Sequence, residues 1–524
     1  MGEHGVVTST PTPATASDGS SEPSAPPRRG GWWLALAGLV TGLAGLAVSI
    51  AATAVLRERL TPPQAVAETV IELTPGRLAE ALIHLVGTWD KPLLLTGTVV
   101  VLLLLSALAG VLTRGGMWRG YVAFLLMAGI AGAAVLTRPQ TSSVAVLPVV
   151  LAAVTWIVVL SFLLGAEPAT GPSDRRAFLL RTGGVAVGAL VVGVGGRIVG
   201  QKRRAVEQAR ALLRLPVTRG TVPAGANLDL AGLEPWRVPA DRFYRIDTAV
   251  AVPVIDADEW KLRIHGMVEN EVTVTFADLL DRRLTEAWVT LCCVSNPVGG
   301  DLIGNAWWSG VRIADLLAEA VPLPDADAVL QTSDDGWNCG TPLAALTDGR
   351  DALLAVAMNG EPLPLEHGYP VRMVVPGLFG FVSATKWVVD MEVTRFADVD
   401  AFWTQRGWSE EGPVKTQSRI DVPQGNHRVM AGDVRVGGVA WAQHTGIEKV
   451  EVQLDGGAWT EVELGRVPST DTWVQWQGTV SATPGVHMLA VRATDRSGYT
   501  QDSVRRDVVP DGATGWHTVE FTAE

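Results

Sequence analysis

Long apolar runs constrain this chain before anything else does. They fall at Trp32–Leu56, Pro92–Thr113, Trp118–Leu136 and Val144–Leu164, with a fifth, Gly-rich and less hydrophobic, at Gly183–Val199. A helix crossing a bilayer needs about 20 apolar residues, and a helix satisfies its backbone N–H and C=O groups without water. One such run alone reads equally well as a buried core helix. Several in succession predict an N-terminal unit of about five transmembrane helices over residues 31–200. Residues 1–30, rich in Ser, Thr, Pro and Gly, predict a disordered tail.

Orientation follows from the basic residues. Arg28, Arg29, Arg114, Arg119, Arg175 and Arg176 share one side if the tail is cytoplasmic, but Lys202, Arg203 and Arg204 then lie outside. The stretch Ser173-Asp174-Arg175-Arg176-Ala177-Phe178-Leu179-Leu180 is similar to a twin-arginine export signal ahead of a weakly hydrophobic helix. That similarity places everything after Val199 on the extracytoplasmic face of a multi-pass cell-membrane protein, exported already folded. The apolar runs contain no histidine, His84 being the one nearby, and no Cys-x-x-Cys-His sequence occurs. Haem in the helices is therefore not expected, and they read as an anchor or as a partner facing the quinone pool.

The remaining chain has the composition of a globular protein. With 524 residues and only 3 cysteines, it is not a disulfide-stapled scaffold. A net charge of -12 argues against a nucleic-acid partner. Residues 201–240 read as a basic amphipathic helix, Gln201 to Leu215, followed by a linker punctuated with Gly and Pro. Residues 241–405 mix alternating strands, such as Trp260–Val268, with short helices, an α+β pattern dominated by β-structure. Residues 406–524 carry short alternating strands with turns such as Asp455-Gly456-Gly457, predicting an immunoglobulin-like β-sandwich.

Chemistry concentrates at Thr290-Leu291-Cys292-Cys293-Val294-Ser295-Asn296-Pro297-Val298-Gly299-Gly300. A cysteine pair can simply pack as two small hydrophobes, whereas a cysteine at a rigid strand end can offer its thiolate to a metal. A disulfide between Cys293 and Cys339 is a further possibility in an oxidising compartment. Arg245, His367, Arg372 and Lys386 stand beside turns at strand ends. Each alone can be a solvated charge, and together they can bind a phosphate or pyrophosphate.

The ordered series Phe243-Tyr244-Arg245, Trp260 to Gly266, Cys293-Val294-Ser295-Asn296, Trp308-Ser309-Gly310, Met358 to Pro364, His367 to Arg372 and Lys386-Trp387 resembles the sulfite oxidase family of molybdopterin enzymes. A helical anchor with an internal twin-arginine signal resembles a membrane-bound actinobacterial branch of that family. The resemblance implies a molybdenum-molybdopterin cofactor whose metal is bound by Cys293. It implies Tyr244, Arg245, His367, Arg372, Ser383, Thr385 and Lys386 around the pterin and its phosphate, and Trp308 lining the substrate approach. It also implies that the C-terminal sandwich is a dimerisation-type domain, so a homodimer is expected to be possible.

Three departures stand out: Pro297-Val298 where sulfite-oxidising members carry two arginines, Val356 where they carry a tyrosine, and Asp247 in place of a histidine. The resemblance then implies oxygen-atom transfer on a small sulfur or nitrogen oxo compound. The lost cations favour a neutral sulfoxide or N-oxide over a dianion, with electrons exchanged with an external carrier or the quinone pool. The competing reading is a non-catalytic cell-surface binding protein with a vestigial molybdopterin site.

Overall fold

The computed structural model describes residues 31–56, 58, 60–75, 89–138, 144–165, 172–199 and 202–524. The expected disordered tail and His84 lie outside the described residues. The N-terminal part contains helices α1 (Gly31–Val55), α2 (Pro62–Leu73), α3 (Asp90–Leu112), α4 (Met117–Leu136), α5 (Leu147–Leu164), α6 (Pro172–Val199) and α7 (Lys202–Leu212). Among the described residues, four helices are long and apolar enough to cross a membrane: Gly31–Val55, Lys91–Gly115, Met117–Leu136 and Leu147–Leu164. The fifth apolar run forms the second half of α6, which is not one of the four.

Helix α1 is the hub, packed against α3, α5 and α6. Its backbone comes so close to α3 that a Cβ at Gly38 would sit 2.1 Å from the Ser106 carbonyl oxygen. One at Gly110 would sit 2.1 Å from that of Leu34. Such close approach between apolar helices requires small residues. Helix α6 is tied in by Phe178, edge-on to Trp33 at 5.1 Å. On the outer surface Val101, Leu104 and Leu108 of α3 stay exposed.

Helix α2 falls outside the apolar runs. It is amphipathic and starts at a capping box, in which the Thr61 N–H donates to Gln64 Oε1 at 2.9 Å. Its inner carboxylates meet Arg138, just past the end of α4. Arg138 donates to Glu72 Oε1 at 2.6 Å and Oε2 at 2.7 Å, to Thr69 Oγ1 at 2.8 Å and to the Ala134 carbonyl at 3.2 Å.

The next region has two sheets, one mixed through the parallel pair β1–β10 and one wholly antiparallel, built from β1 (Lys261–Gly266), β2 (Val272–Thr275), β3 (Thr285–Cys292), β4 (Ile303–Arg312), β5 (Ala328–Ser333), β6 (Asn338–Pro342), β7 (Leu353–Met358), β8 (Glu361–Pro362), β9 (Arg372–Val374) and β10 (Val388–Thr394). One sheet has the order β2-β1-β10-β5-β6 and the other β3-β4-β7-β8, with β9 paired to β7. The alternation read in Trp260–Val268 is that of β1, where Leu262 and Ile264 are buried and Lys261 and Arg263 exposed.

Strands β11 (Gln417–Val422), β12 (Arg428–Val429), β13 (Gly432–Trp441), β14 (Ile447–Leu454), β15 (Thr460–Glu461), β16 (Glu463–Leu464), β17 (Val474–Ala482), β18 (Gly485–Asp495) and β19 (His517–Ala523) make two further sheets, ordered β11-β13-β17-β16 and β12-β19-β18-β14-β15. Their inner faces meet in a core of Val436, Val450, Trp476, Leu489 and Phe521. A two-layer sandwich is what the alternating pattern predicted.

Within the stretch 201–240, the part read as a Gly/Pro linker, residues 220–239, packs as a strap. Trp236 is fully buried, donating from Nε1 to the Trp473 carbonyl at 3.1 Å and accepting from Trp473 Nε1 at 2.9 Å. The Leu228 N–H donates to Gln475 Oε1 at 2.6 Å, and the Val238 N–H to the Asn305 carbonyl at 2.9 Å. Gly and Pro mark irregular backbone, and irregular backbone can still be buried when its N–H and C=O groups find partners. The strap crosses the boundary between sheets and sandwich, and Trp441, Trp473, Val508 and Ala513 join the same core as β3, β4 and β7. The two regions therefore share one interior.

Candidate active site

Strand β3 presents Cys292 and Cys293 from a fixed position. Its Thr290 N–H donates to the Asp471 carbonyl at 2.9 Å, and Thr290 Oγ1 accepts from the Trp473 N–H at 2.8 Å, so the sandwich clamps the strand. Beyond it the chain turns back: the Cys293 N–H donates to the Leu302 carbonyl at 2.9 Å, and the Asn296 side chain accepts from the Leu302 N–H at 2.9 Å. Asn296 thus closes the loop. Gly299 has φ +80°, and a Cβ there would come within 2.2 Å of the His517 ring, so a side chain is excluded by both strain and space. The Arg419 guanidinium holds the Gly300 carbonyl at 3.0 Å.

All three cysteines are free and buried. Cys339 lies 3.3 Å from Thr385 Oγ1, and the Cys293–Cys339 disulfide does not form. Burial raises the Cys293 thiol pKa, while the N–H and hydroxyl of Ser295 and the charge of Lys386 pull it down. A bound cation would complete the stabilisation of the thiolate. Cys292, buried more deeply in effect, is pushed up further by burial and by its neighbour, and it packs as a core residue.

Around this sulfur the structure gathers most of the residues expected to hold a pterin. Tyr244 stacks on Phe243 at 5.2 Å, and burial followed by the two thiols keeps its phenol protonated. His367 is buried; its Nε2–H donates to the Ala240 carbonyl at 2.8 Å, while Nδ1 is buried without a partner. Burial, and then Arg372 and Lys386, lower its pKa to about 4, so the ring is neutral and Nδ1 is an acceptor awaiting a donor. Arg372 is buried over the face of Trp308 at 5.1 Å and makes only long bonds, 3.3 to 3.4 Å, to the carbonyls of Met373, His367 and Ala384. No carboxylate among the described residues pairs with it, and burial lowers its pKa to about 10.

Lys386 is buried and donates to Asp247 Oδ2 at 3.0 Å; burial draws its pKa down to about 8 despite that carboxylate. Arg245 donates to the same oxygen at 3.0 Å. Burial alone would raise the Asp247 pKa, yet Lys386, Lys91 and Arg245 outweigh it and hold the carboxyl well below the usual range. Unpaired buried charge is costly, so a pocket with this excess of cations suits an anionic ligand.

Three expected residues sit differently. Ser383 Oγ donates to the Phe379 carbonyl at 2.9 Å and Thr385 Oγ1 to Gln331 Oε1 at 2.7 Å, so both hydroxyls are engaged within the protein. Trp308 is fully buried with its indole N–H on the Val289 carbonyl at 3.1 Å. Its ring is a floor beneath Arg372 rather than a wall of an open approach. The sequence pattern gives no role to Ser295, whose N–H and hydroxyl face the Cys293 sulfur, or to Asp247, which pairs with Lys386 and Arg245. It also had no signal for Arg505 and Arg506, which line an open cavity of about 320 Å³ together with Pro297, Val298, Asp507 and Ala513.

Residues 249–403 match the oxidoreductase molybdopterin binding domain. The chain is 32% identical over 157 residues to the uncharacterized oxidoreductase YuiH of Bacillus subtilis (strain 168), covering 30% of this chain and 76% of that protein. It is 25% identical over 343 residues to sulfite oxidase of Arabidopsis thaliana, covering 54% and 87% of the two. It is 30% identical over 256 residues to mitochondrial sulfite oxidase of Rattus norvegicus, covering 41% and 46%, so it spans less than half of that animal relative. The chain belongs to the sulfite oxidase family of molybdopterin-dependent oxidoreductases. It is an enzyme with a molybdenum cofactor, which sets aside the vestigial-site reading.

The residues fit that group. Cys293 would supply a thiolate, the orphaned Nδ1 of His367 an acceptor for a ring N–H, and Arg372, Lys386 and Arg245 the countercharge for a phosphate. The cofactor, when bound, supplies two-electron redox chemistry at the metal.

Proposed function

We propose that this protein is a membrane-anchored, extracytoplasmic oxidoreductase that transfers an oxygen atom to or from a small sulfur or nitrogen oxo compound, with sulfite-like oxoanions ahead of neutral sulfoxides. The observation that carries the reading is the buried, carboxylate-free Arg372 beside the orphaned His367 Nδ1, both near the Cys293 loop. They make a site that is incomplete without an anionic, N–H-bearing ligand. Oxidation of the substrate takes one oxygen from water, releases two protons and passes two electrons to an acceptor. That acceptor is a soluble carrier or the quinone pool.

The chain's own residues divide the work. Cys293 fixes the metal, with Ser295 and Lys386 favouring its ionised sulfur. Arg372 and Lys386 hold the cofactor's charge, and His367 orients its ring. The preference for an anion rests on Arg505 and Arg506, both exposed beside Pro297 and Val298. They supply from the sandwich the cationic character that the Pro297-Val298 sequence lacks, Arg505 more freely than Arg506, which has Asp502 at 3.9 Å, while the Asp507 carboxylate lines the same cavity. The four apolar helices support anchoring, and the Arg175-Arg176 pair at the start of α6 supports export as a folded unit.

The test is metal and pterin analysis of the full chain, purified in detergent from a molybdopterin-producing host, followed by assays with sulfite, a methyl sulfoxide and an N-oxide. Near-stoichiometric molybdenum and pterin are expected, with altered molybdenum spectra in Cys293→Ser and turnover fastest on sulfite. A well-folded wild type with neither metal nor pterin would sink the reading.

A further inference from the structure

The cofactor cradle is not completed by the region that matches the molybdopterin-binding family. Its buried carboxylate, Asp247, is 6% exposed and meets three cations. Lys386 and Arg245 each donate to Oδ2 at 3.0 Å. The third cation, Lys91, bonds Oδ1 from the first turn of α3. That helix is one of the four apolar spans and lies far outside the matched residues. A second contact joins the same parts: Arg406 donates to the Glu72 carbonyl, at the end of α2, at 2.8 Å. A cavity of about 30 Å³ is lined by residues of both parts, Glu72 and Arg138 on the helical side and Thr248, Trp337 and Phe402 on the other.

The charges explain what this contact does. Without Lys91, the carboxylate of Asp247 would be shared by Lys386 and Arg245 alone, neutralising half of their positive charge and repelling any anion brought near them. With Lys91 on Oδ1, that carboxylate has its own counterion from the helical unit. Lys386 and Arg245 then keep their charge for the ligand, alongside the unpaired Arg372. The buried, partnerless Nδ1 of His367 independently marks the same pocket as awaiting a ligand.

We propose that Lys91 is a positioning residue of the cofactor site: by neutralising Asp247 from the end of a membrane-type helix, it makes the helical unit part of the device that retains the cofactor's anionic group. Anchor and cofactor are then coupled, because whatever draws α3 away from Asp247 loosens the cofactor. The proposal rests on the molybdopterin reading of the pocket. It adds a residue from outside the cofactor-binding domain.

The experiment compares full-length wild type, Lys91→Ala, Lys91→Arg, Asp247→Asn and the Lys91→Ala/Asp247→Asn double variant. Each is loaded in the same molybdopterin-producing host. Pterin and molybdenum retained after gel filtration are measured at low and at raised salt, with the thermal midpoint of the cofactor-free form alongside. Lys91→Ala is expected to shorten the half-time of pterin retention roughly fivefold to tenfold with no matching fall in the cofactor-free midpoint. Lys91→Arg should restore retention, and the Ala substitution should have no further effect once Asp247 is Asn. Arg406→Ala, which loosens the second contact without touching Asp247, should leave retention near wild type. Equal retention in wild type and Lys91→Ala overturns the proposal, as does an undiminished Lys91→Ala effect in the Asn background. If wild type itself carries neither pterin nor molybdenum, the molybdopterin reading falls, and this proposal falls with it. A loaded wild type beside an unaffected Lys91→Ala removes only the proposal.

Discussion

Two arginines of this protein are almost equally hidden, Arg138 at 8% and Arg372 at 4% exposure, yet they are kept in opposite ways. Arg138 holds Glu72 with two short bonds and has Glu68 at 3.7 Å, Thr69 and a main-chain carbonyl as well. Its charge is matched inside the protein. Arg372 has three long bonds to carbonyls and an aromatic face, and no carboxylate partner among the described residues. A buried ion pair broken on one side costs several kcal/mol, whereas removing an uncompensated buried charge can stabilise. The first arginine is therefore a structural clamp between α2 and α4, and the second is a charge held ready for something the chain does not itself supply.

Substitution should separate the two sharply. Arg138→Leu removes a counterion from the buried Glu68 and from the half-exposed Glu72, and we expect a loss of about 2–4 kcal/mol in the stability of the helical unit. It should be read as a fall in thermal midpoint in detergent, with or without cofactor. Arg372→Met keeps the volume and the contact with Trp308 but removes the charge. Its cofactor-free form should be as stable as wild type or more so, while molybdenum and pterin content collapse. If Arg372→Met destabilises the empty protein as much as Arg138→Leu does, the contrast is broken and Arg372 is a clamp too.

His517 offers a milder form of the same contrast, a group satisfied in only one protonation state. Its Nδ1 accepts the Ile420 N–H at 2.9 Å, and its ring lies against Gly299 of the cysteine loop. Burial first, and then Arg419, lower its pKa to about 4. The unfolded chain therefore binds this proton first as pH falls from about 6.5. The stability that the neutral ring contributes is complete above that pH and lost toward pH 4. After allowing for partial exposure, roughly 2 kcal/mol should disappear over that window. The difference in thermal midpoint between wild type and His517→Asn, followed from pH 7 to pH 4.5, measures it, because contributions common to both cancel. A difference that stays constant with pH would show that the ring does not titrate as its surroundings dictate.

The sequence was legible where the signal was local. Apolar runs, the alternation in β1 and the cysteine loop each declare themselves within about ten to twenty residues, and the ordered motifs brought Tyr244, Arg245, His367, Arg372 and Lys386 to one place. What escaped depends on partners distant in the chain. Nothing near Trp236 announces Trp473, and nothing near Lys91 announces Asp247. The Gly/Pro punctuation of residues 220–239 goes with irregular backbone but carries no information on burial, which Trp236 decides by packing into a shared core. The hydroxyls of Ser383 and Thr385 bond within the protein, a matter of rotamer and neighbour that no spacing encodes.

The smallest expected effect tests the most consequential of these distant pairings. Sequence alone argued for a neutral substrate, because Pro297-Val298 stands where the resemblance would put two arginines. Folding brings Arg505 and Arg506, from the segment between β18 and β19, to that same stretch. Both are solvent-exposed, so each contributes only a surface-type interaction, about 1 kcal/mol or less with a bound anion. Replacing either by Ala should raise KM for sulfite roughly threefold to fivefold, with kcat little changed, since a charge that holds substrate and transition state alike acts on binding alone. Raised salt should shrink the difference between wild type and variant, because screening weakens the attraction that the arginine gives the wild type. A methyl sulfoxide, having no net charge, should show neither effect. If KM for the sulfoxide rises as much as that for sulfite, the arginines shape the mouth without reading charge, and the neutral-substrate reading drawn from Pro297-Val298 regains its force.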